Sequence, residues 1–317
     1  MRPMNSKIRV GVIGVGRLGS IHTRTYTNIE GAELVGICDL SPEKVEEMAQ
    51  QYRHCQPFQH YSQLIPQVDA LSIATPTETH HAIAKEALLA GKHLLIEKPI
   101  TTTLAQADEL LALAEKKGVI LQVGHIERFN SALEAVVQQG KPPRFIECDR
   151  LGPFSPRVAN IGVVIDLMIH DIDIVLSLVQ SPIRSIDAVG LKILTQHEDI
   201  ANARIRFDSG AVANLTASRV TPETLRKIRI FQEGAYLSLD YVKQELKVYR
   251  KNGDQISCEN YPIQKEEPIK KELASFIQCI QNGSKPVVSG EEARSALAVA
   301  LEVVRQINSG QENKTVR

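Results

Sequence analysis

Two carboxylates and a histidine, Asp166, His170 and Asp173, stand inside the otherwise apolar stretch DLMIHDID. On a helix, residues three or four apart share a face, so these three form one polar stripe. Asp171 points about 100° away from it. Ile165, Leu167, Met168, Ile169, Ile172 and Ile174 fill the remaining directions, the pattern of a largely buried helix. Three chemistries suit such a stripe. Two Asp and one His are plausible metal ligands. The groups could instead be satisfied internally in a structural helix. Or His170, whose intrinsic pKa suits proton transfer near neutrality, takes a proton while Asp166 orients or assists it. A second candidate is Lys98. The stretch HLLIEKPITTT puts Glu97, Lys98 and Pro99 just past the carboxyl end of an apolar strand, the edge where open α/β sheets bind ligands. An ammonium there can donate to a hydroxyl or carbonyl and stabilise alkoxide character. The bland reading is a solvated loop lysine.

A third pattern supplies what those residues lack. VIGVGRLGS contains Gly14, Gly16, Arg17, Leu18 and Gly19 in the G-x-G-x-x-G spacing, after an apolar run and before a helical one. Gly14 permits a tight turn, Gly16 lets the backbone approach a pyrophosphate, and Gly19 lets the helix pack close to the sheet. The amides at the helix N-terminus then face the phosphates. A second strand ends at Asp39, 20 residues after Gly19, placed to accept from both ribose hydroxyls and to repel a 2′-phosphate. No Arg or Lys precedes Lys44 in CDLSPEK, so NAD is expected over NADP.

The elements that must position these groups follow from periodicity. Strand-length apolar runs at Ile8–Ile13, Glu33–Cys38, Ala70–Ala74, His93–Ile96 and Val119–Val123 alternate with helical patterns near Pro42–Tyr52, His80–Ala90 and Leu104–Lys117. Ser41 is the expected N-cap of the first of these helices, and Gly91 and Gly118 suit left-handed caps of the others. This alternation predicts an N-terminal Rossmann doubly wound parallel sheet over residues 1–125. The rhythm then changes. Helical patterns near Glu127–Gln139 and Val164–Leu178 flank a strand near Arg144–Arg150. Six more strand-like runs follow, joined in part by the turn signals DSG and KNGD, and helices near Glu267–Gln281 and Glu291–Ile307 close the chain. Residues 126–317 are therefore expected to form a C-terminal α+β domain with a mostly antiparallel open sheet. One sheet face lacks a helix cover, and a second subunit, giving a homodimer or homotetramer, is the simplest source.

Composition narrows the class. The 317 residues carry 37 basic and 37 acidic side chains, which disfavours nucleic acid or an anionic membrane surface as partner. No stretch approaches the roughly 18 apolar residues that span a bilayer. Five cysteines without a C-x-x-C, and no apolar signal core in MRPMNSKIRVGVIG, point to a reducing cytoplasm rather than a disulfide framework.

The glycine loop, Asp39, TPTETH (Thr75–His80), AGKHLLIEKP (Ala90–Pro99), GHIERFN (Gly124–Asn130) and DLMIHDID occur in one order. In this the chain resembles the Gfo/Idh/MocA oxidoreductase family over essentially its whole length. The resemblance implies that Lys98 is the active-site lysine and that Thr75, Pro76, His80 and Glu97 line the cofactor site. It implies that Arg128 reaches the nicotinamide end, that Asp166 and His170 are the D-x-x-x-H pair, and that no metal is needed. It also implies NAD-dependent oxidation of a sugar hydroxyl. Asp173 then anchors the helix or orients His170. Met168 stands where many members carry a small residue. VVIDLMIHDID is similar to a subgroup acting on UDP-linked amino sugars, which implies UDP-N-acetylglucosamine oxidised at C3 as substrate. A diphosphate needs cations, for which Arg157, Arg219, Arg226, Lys227 and Arg229 are candidates. A free-sugar or cyclitol dehydrogenase, or a non-catalytic dinucleotide-sensing regulator, is the alternative.

Overall fold

The computed structural model describes residues 7–52 and 54–312, with the side chains of 311 and 312 excepted. The first six residues, on which the reading of a leader partly rests, and the last five lie outside the described residues. The chain divides into two compact units. One comprises Met1–Ile126 and Glu267–Arg294, the other Glu127–Glu266 and Ser295–Arg317.

The first unit holds six parallel strands, β1 (Ile8–Ile13), β2 (Ala32–Cys38), β3 (Gln56–Phe58), β4 (Ala70–Ile73), β5 (His93–Glu97) and β6 (Leu121–Gly124). Their order is β3-β2-β1-β4-β5-β6. Helices α1 (Arg17–Tyr26), α2 (Pro42–Gln51), α3 (Tyr61–Leu64), α4 (Thr77–Leu89) and α5 (Leu104–Lys117) connect them. The order reverses between β1 and β4, which creates the crevice at their carboxyl ends where such sheets bind ligands. The expected doubly wound sheet is present. The strand missed from sequence is β3, three residues long and largely solvent-exposed. Ser41 precedes α2 as expected, with Pro42 at its first turn, but its hydroxyl bonds Glu43 rather than a backbone amide.

One boundary differs from expectation. The break at Ile126/Glu127 lies one residue from the expected one, but helix α8 (Pro268–Asn282) belongs with the parallel sheet and not with the C-terminal domain. The cause is its apolar face. Leu273, Phe276 and Ile277, at i, i+3 and i+4, are buried in one core with Val10, Tyr26, Leu34 and Leu95. Sequence order alone would have kept it with its neighbours.

The second unit holds α6 (Ser131–Gln138), α7 (Ile169–Val179) and eight strands: β7 (Phe145–Leu151), β8 (Ile183–Leu191), β9 (Ile200–Phe207), β10 (Val212–Ser218), β11 (Leu225–Gln232), β12 (Ala235–Asp240), β13 (Glu245–Asn252) and β14 (Gln255–Tyr261). The order is β14-β13-β12-β11-β7-β10-β9-β8, with β7 and β10 parallel and every other pair antiparallel. Residues from α6, α7 and the latter part of α9 (Gly290–Glu312) cover one face through a core that includes Ile146, Ala203, Leu215, Ile228 and Leu237. Alternate residues face the other way. Among them Phe145, Phe231, Tyr236 and Tyr249 form a ladder of ring contacts across four strands. Strand β14 escaped the sequence reading because almost all of it is solvent-exposed, so no apolar alternation marks it.

Candidate active site

The glycine loop is built as its spacing predicts. Gly14 has φ +86°, and a Cβ there would meet Ala74 O at 2.7 Å and Thr75 Cγ2 at 2.8 Å. A Cβ on Gly19 would fall 1.6 Å from Gly14 O, so a side chain at Gly19 would push α1 off the turn and one at Gly14 would collide with the residues after β4. Gly16, the N-cap of α1, faces open space, and Arg17 and Leu18 are exposed beside it. Asp39 closes the loop from the end of β2. Its carboxylate accepts from the amide of Val15 at 2.9 Å and from that of Ser41 at 3.0 Å. Each oxygen keeps a further lone pair for a ribose hydroxyl. A bare helix N-terminus, an open backbone at Gly16 and a fixed acid at Asp39 fit a dinucleotide.

The loops after β4 and β5 are tied together. His80 on α4 is buried, with Nε2 2.9 Å from Thr75 O and Nδ1 3.0 Å from Pro99 O. Burial pushes its pKa down, against the pull of both carbonyls and of Glu97. His80 thus joins the two loops, and Thr75 Oγ1 accepts from Thr79. Pro76 is the N-cap of α4. The Lys98–Pro99 bond is cis. Lys98 is half-buried, whereas Glu97 beside it points inward, with Oε1 3.0 Å from His22 Nε2. Burial raises the Glu97 pKa, but His22, Lys98 and His80 outweigh it and hold the carboxyl below its usual range.

In the second unit the DLMIHDID stretch is helical, with a complication. Val164–Met168 forms a π-helical turn before α7 begins at Ile169. Asp166 sits in that turn and His170 in the first turn of α7, both half-buried, while Asp171 and Asp173 are buried. π-Turns inside helices recur at functional sites, and nothing in the sequence pattern announces this one. Its start is pinned by Glu198, whose Oε1 accepts from the Val164 amide at 3.2 Å and whose carbonyl accepts from the Val163 amide at 3.0 Å. Gly162 makes that approach possible, because a Cβ there would lie 1.9 Å from Glu198 Oε1.

The helix is anchored by an acid the sequence reading set aside. Asp171 takes a two-pronged bond from Arg150, Nε to Oδ2 at 2.9 Å and Nη2 to Oδ1 at 2.8 Å, while Arg150 Nη1 reaches Glu127 at 2.9 Å. Burial raises the Asp171 pKa against the opposing pull of Arg150, and the two carboxylates hold the Arg150 guanidinium firmly charged despite its burial. The signal was present: Arg150 follows Ile146 and Cys148 at the inward positions of β7, and a charge in that register needs a buried partner. Asp173 meets Arg128 at 3.5 Å.

Of the substrate candidates, Arg157 is exposed in a short helical turn. Arg219 is not available. Only 2% exposed, it donates to Asp199 Oδ1 at 2.7 Å, to the carbonyls of Val158 and Ile161 at 2.7 and 2.6 Å, and to Thr195 at 2.8 Å. Its role is to fasten the loop holding Arg157 and the turn at 193–195, whose amides bond Asp199. Arg229 is spent on Glu147 and Asp149. Arg226 is exposed and lies near Glu127, Asp171 and Asp166.

Residues 8–125 match the family model described as oxidoreductase family, NAD-binding Rossmann fold, and residues 131–238 match the GFO/IDH/MocA C-terminal domain. The chain belongs to the Gfo/Idh/MocA oxidoreductase family. It is 38% identical over 303 residues to UDP-N-acetylglucosamine 3-dehydrogenase of Acidithiobacillus ferrooxidans, covering 93% of this chain and 96% of that one. A solved structure of UDP-N-acetylglucosamine 3-dehydrogenase from that organism superposes with a TM-score of 0.91 at 37% identity, over 96% of this chain and 98% of that one. The scyllo-inositol 2-dehydrogenase (NAD(+)) of Bacillus subtilis is 28% identical over 97% of this chain and 96% of that one. The matched NAD-binding Rossmann segment, residues 8–125, contains the glycine loop and Asp39. Among the described residues no helix is long and apolar enough to cross a membrane.

Proposed function

We propose that this protein oxidises a secondary hydroxyl of a UDP-linked amino sugar, UDP-N-acetylglucosamine at C3, to the keto sugar with NAD. The observation that carries the reading is the similarity to a UDP-N-acetylglucosamine 3-dehydrogenase over 93% of a chain that carries Lys98, Asp166 and His170. NAD, when bound, supplies the hydride acceptor. Gly14, Gly16 and Gly19 hold its pyrophosphate on α1, Asp39 its ribose, and Arg17, Leu18, Thr75, Pro76, His80 and Glu97 form or support the walls around it. His170 takes the hydroxyl proton, Asp166 orients the sugar or assists that transfer, and Lys98 stabilises the charge developing on the oxygen. Arg128, held by Asp173, serves the nicotinamide end. Exposed Arg157 and Arg226 are suited to the diphosphate, and Arg219 keeps the Arg157 loop in place.

The experiment is a panel of UDP-sugars, free sugars and inositols with NAD, followed by NADH absorbance and product mass. UDP-N-acetylglucosamine losing two hydrogens supports the reading. Turnover confined to free sugars or inositols moves the chain to the cyclitol reading, and NAD binding without turnover of any of them moves it to a sensing role.

Self-association through the open face of the eight-stranded sheet belongs to the same proposal. The ring ladder from Phe145 to Tyr249 gives that face an aromatic stripe across four adjacent strands, and light scattering on the purified protein tests it. A cytoplasmic location is proposed from five cysteines that form no disulfide.

A further inference from the structure

Glu97 belongs to a buried polar cluster whose other members, His22 and Glu272, neither cofactor nor substrate explains. His22 on α1, Glu97 at the end of β5 and Glu272 on α8 each bring one ligand-type atom within 4.8 Å of the others, and all three residues are buried. Two carboxylates this close and this dry cannot both ionise without a cation, for the reason that raises one pKa in any buried carboxylate pair. Glu272 is fully buried, and neither of its oxygens has a hydrogen-bond partner. The other groups facing the pair are Tyr26 on α1, Gln122 on β6, and the charges of Lys98 and His80, which act on Glu97. Burial and the neighbouring Glu97 push the Glu272 pKa well up.

The surroundings fix these groups in place. Gln122 Nε2 donates to the backbone carbonyl of Glu272 at 3.2 Å. His22 Nδ1 lies 2.8 Å from Ser72 Oγ, which sets the ring so that Nε2 faces the carboxylates. Gly124 leaves room for Glu97, since a Cβ there would come within 2.9 Å of Glu97 Oε2.

We propose that Glu272 is a positioning residue, a neutral carboxylic acid that shares its proton within the Glu97–His22–Glu272 triangle and so keeps Glu97 turned inward and Lys98 directed away from it. The charged groups are then one carboxylate, Glu97, balanced by its neighbours, in place of two that repel. The consequence for Lys98 rests on the function proposed above; the protonation of Glu272 does not.

The sign for stability follows. A carboxyl whose folded pKa is raised stabilises the fold fully only below its unfolded value, about 4.3, and that contribution is lost as pH rises through the folded pKa. The parent protein should therefore lose thermal stability between pH 6 and pH 9 more steeply than Glu272→Gln, which cannot ionise. In the infrared at pH 7, the C=O stretch of a protonated carboxylic acid should be present in the parent and missing from Glu272→Gln. In turnover, Glu272→Ala should lower kcat roughly 10- to 100-fold with little change in KM, the scale of a misplaced catalytic group, and Glu272→Gln should restore most of it where Glu272→Asp does not. Parallel stability curves with no infrared band overturn the proposal. So does a stoichiometric divalent metal in the purified protein that Glu272→Gln loses, or a Glu272→Gln variant as slow as Glu272→Ala. If Glu272→Ala does not fold, the pH and infrared arms still decide. They need no turnover, so they stand apart from failure of the sugar panel.

Discussion

The glycine loop and the DLMIHDID stretch, to which the proposed function assigns cofactor and substrate chemistry, are built by different means. At the glycine loop, short-range geometry does the work: a positive φ at Gly14, a close helix–turn approach at Gly19 and one acid at the end of the next strand. At DLMIHDID the chemistry-bearing residues are local, but what holds them is distant. A π-helical turn is pinned by Glu198, and α7 is fastened by Arg150 from β7. The first site tolerates little change of backbone. The second depends on buried charges that must all be satisfied together.

That contrast can be broken most forcefully at His170. His170→Ala should lower kcat about 10²- to 10⁴-fold, the usual contribution of a general base, while NAD affinity measured by calorimetry stays unchanged. Next in size is Arg150→Ala, which leaves buried Asp171 and partly buried Glu127 without their cation. Losing one partner of a buried pair costs about 3–5 kcal/mol, read as a lowered denaturation midpoint, with the loss starting in the unit that carries α7. Asp39→Ala acts on the other half. It removes the proposed ribose acceptor and two loop hydrogen bonds, and NAD should bind about tenfold more weakly or worse, at roughly 1–3 kcal/mol for unmade bonds. Its discrimination against NADP should also fall. Gly162→Ala sharpens the comparison, because its methyl would displace Glu198 and not touch the cofactor loop; kcat should drop with NAD affinity intact. Smallest is Arg229→Ala. Arg229 is 41% exposed, and exposed ion pairs contribute about 0–1 kcal/mol, so the melting temperature should barely move.

The same contrast explains what could be read from the chain alone. The glycine spacing, Asp39 and the apolar strands of the parallel sheet were legible because each rests on a period or a local conformational demand. Lys98 and His170 stand out through ordered motifs and not through physics alone, and their proposed roles rest on that order. Arg219 was misjudged because a cation in sequence looks the same whether it meets solvent or, as here, two carbonyls, a hydroxyl and Asp199. The placement of α8 with the parallel sheet and the convergence of Glu272 on Glu97 depend on contacts between segments far apart in the chain. The π-turn leaves no periodic trace in five residues. Strand β14, solvated on nearly every side chain, offers no pattern to detect.

The most direct test of the central claim is a mass measurement of UDP-N-acetylglucosamine after incubation with the protein and NAD, beside the same mixture with His170→Ala. The account predicts a product two hydrogens lighter, with matching NADH absorbance, from the parent protein and a product slowed by orders of magnitude from the variant. An unchanged sugar with the parent protein, or equal product from both, would contradict it.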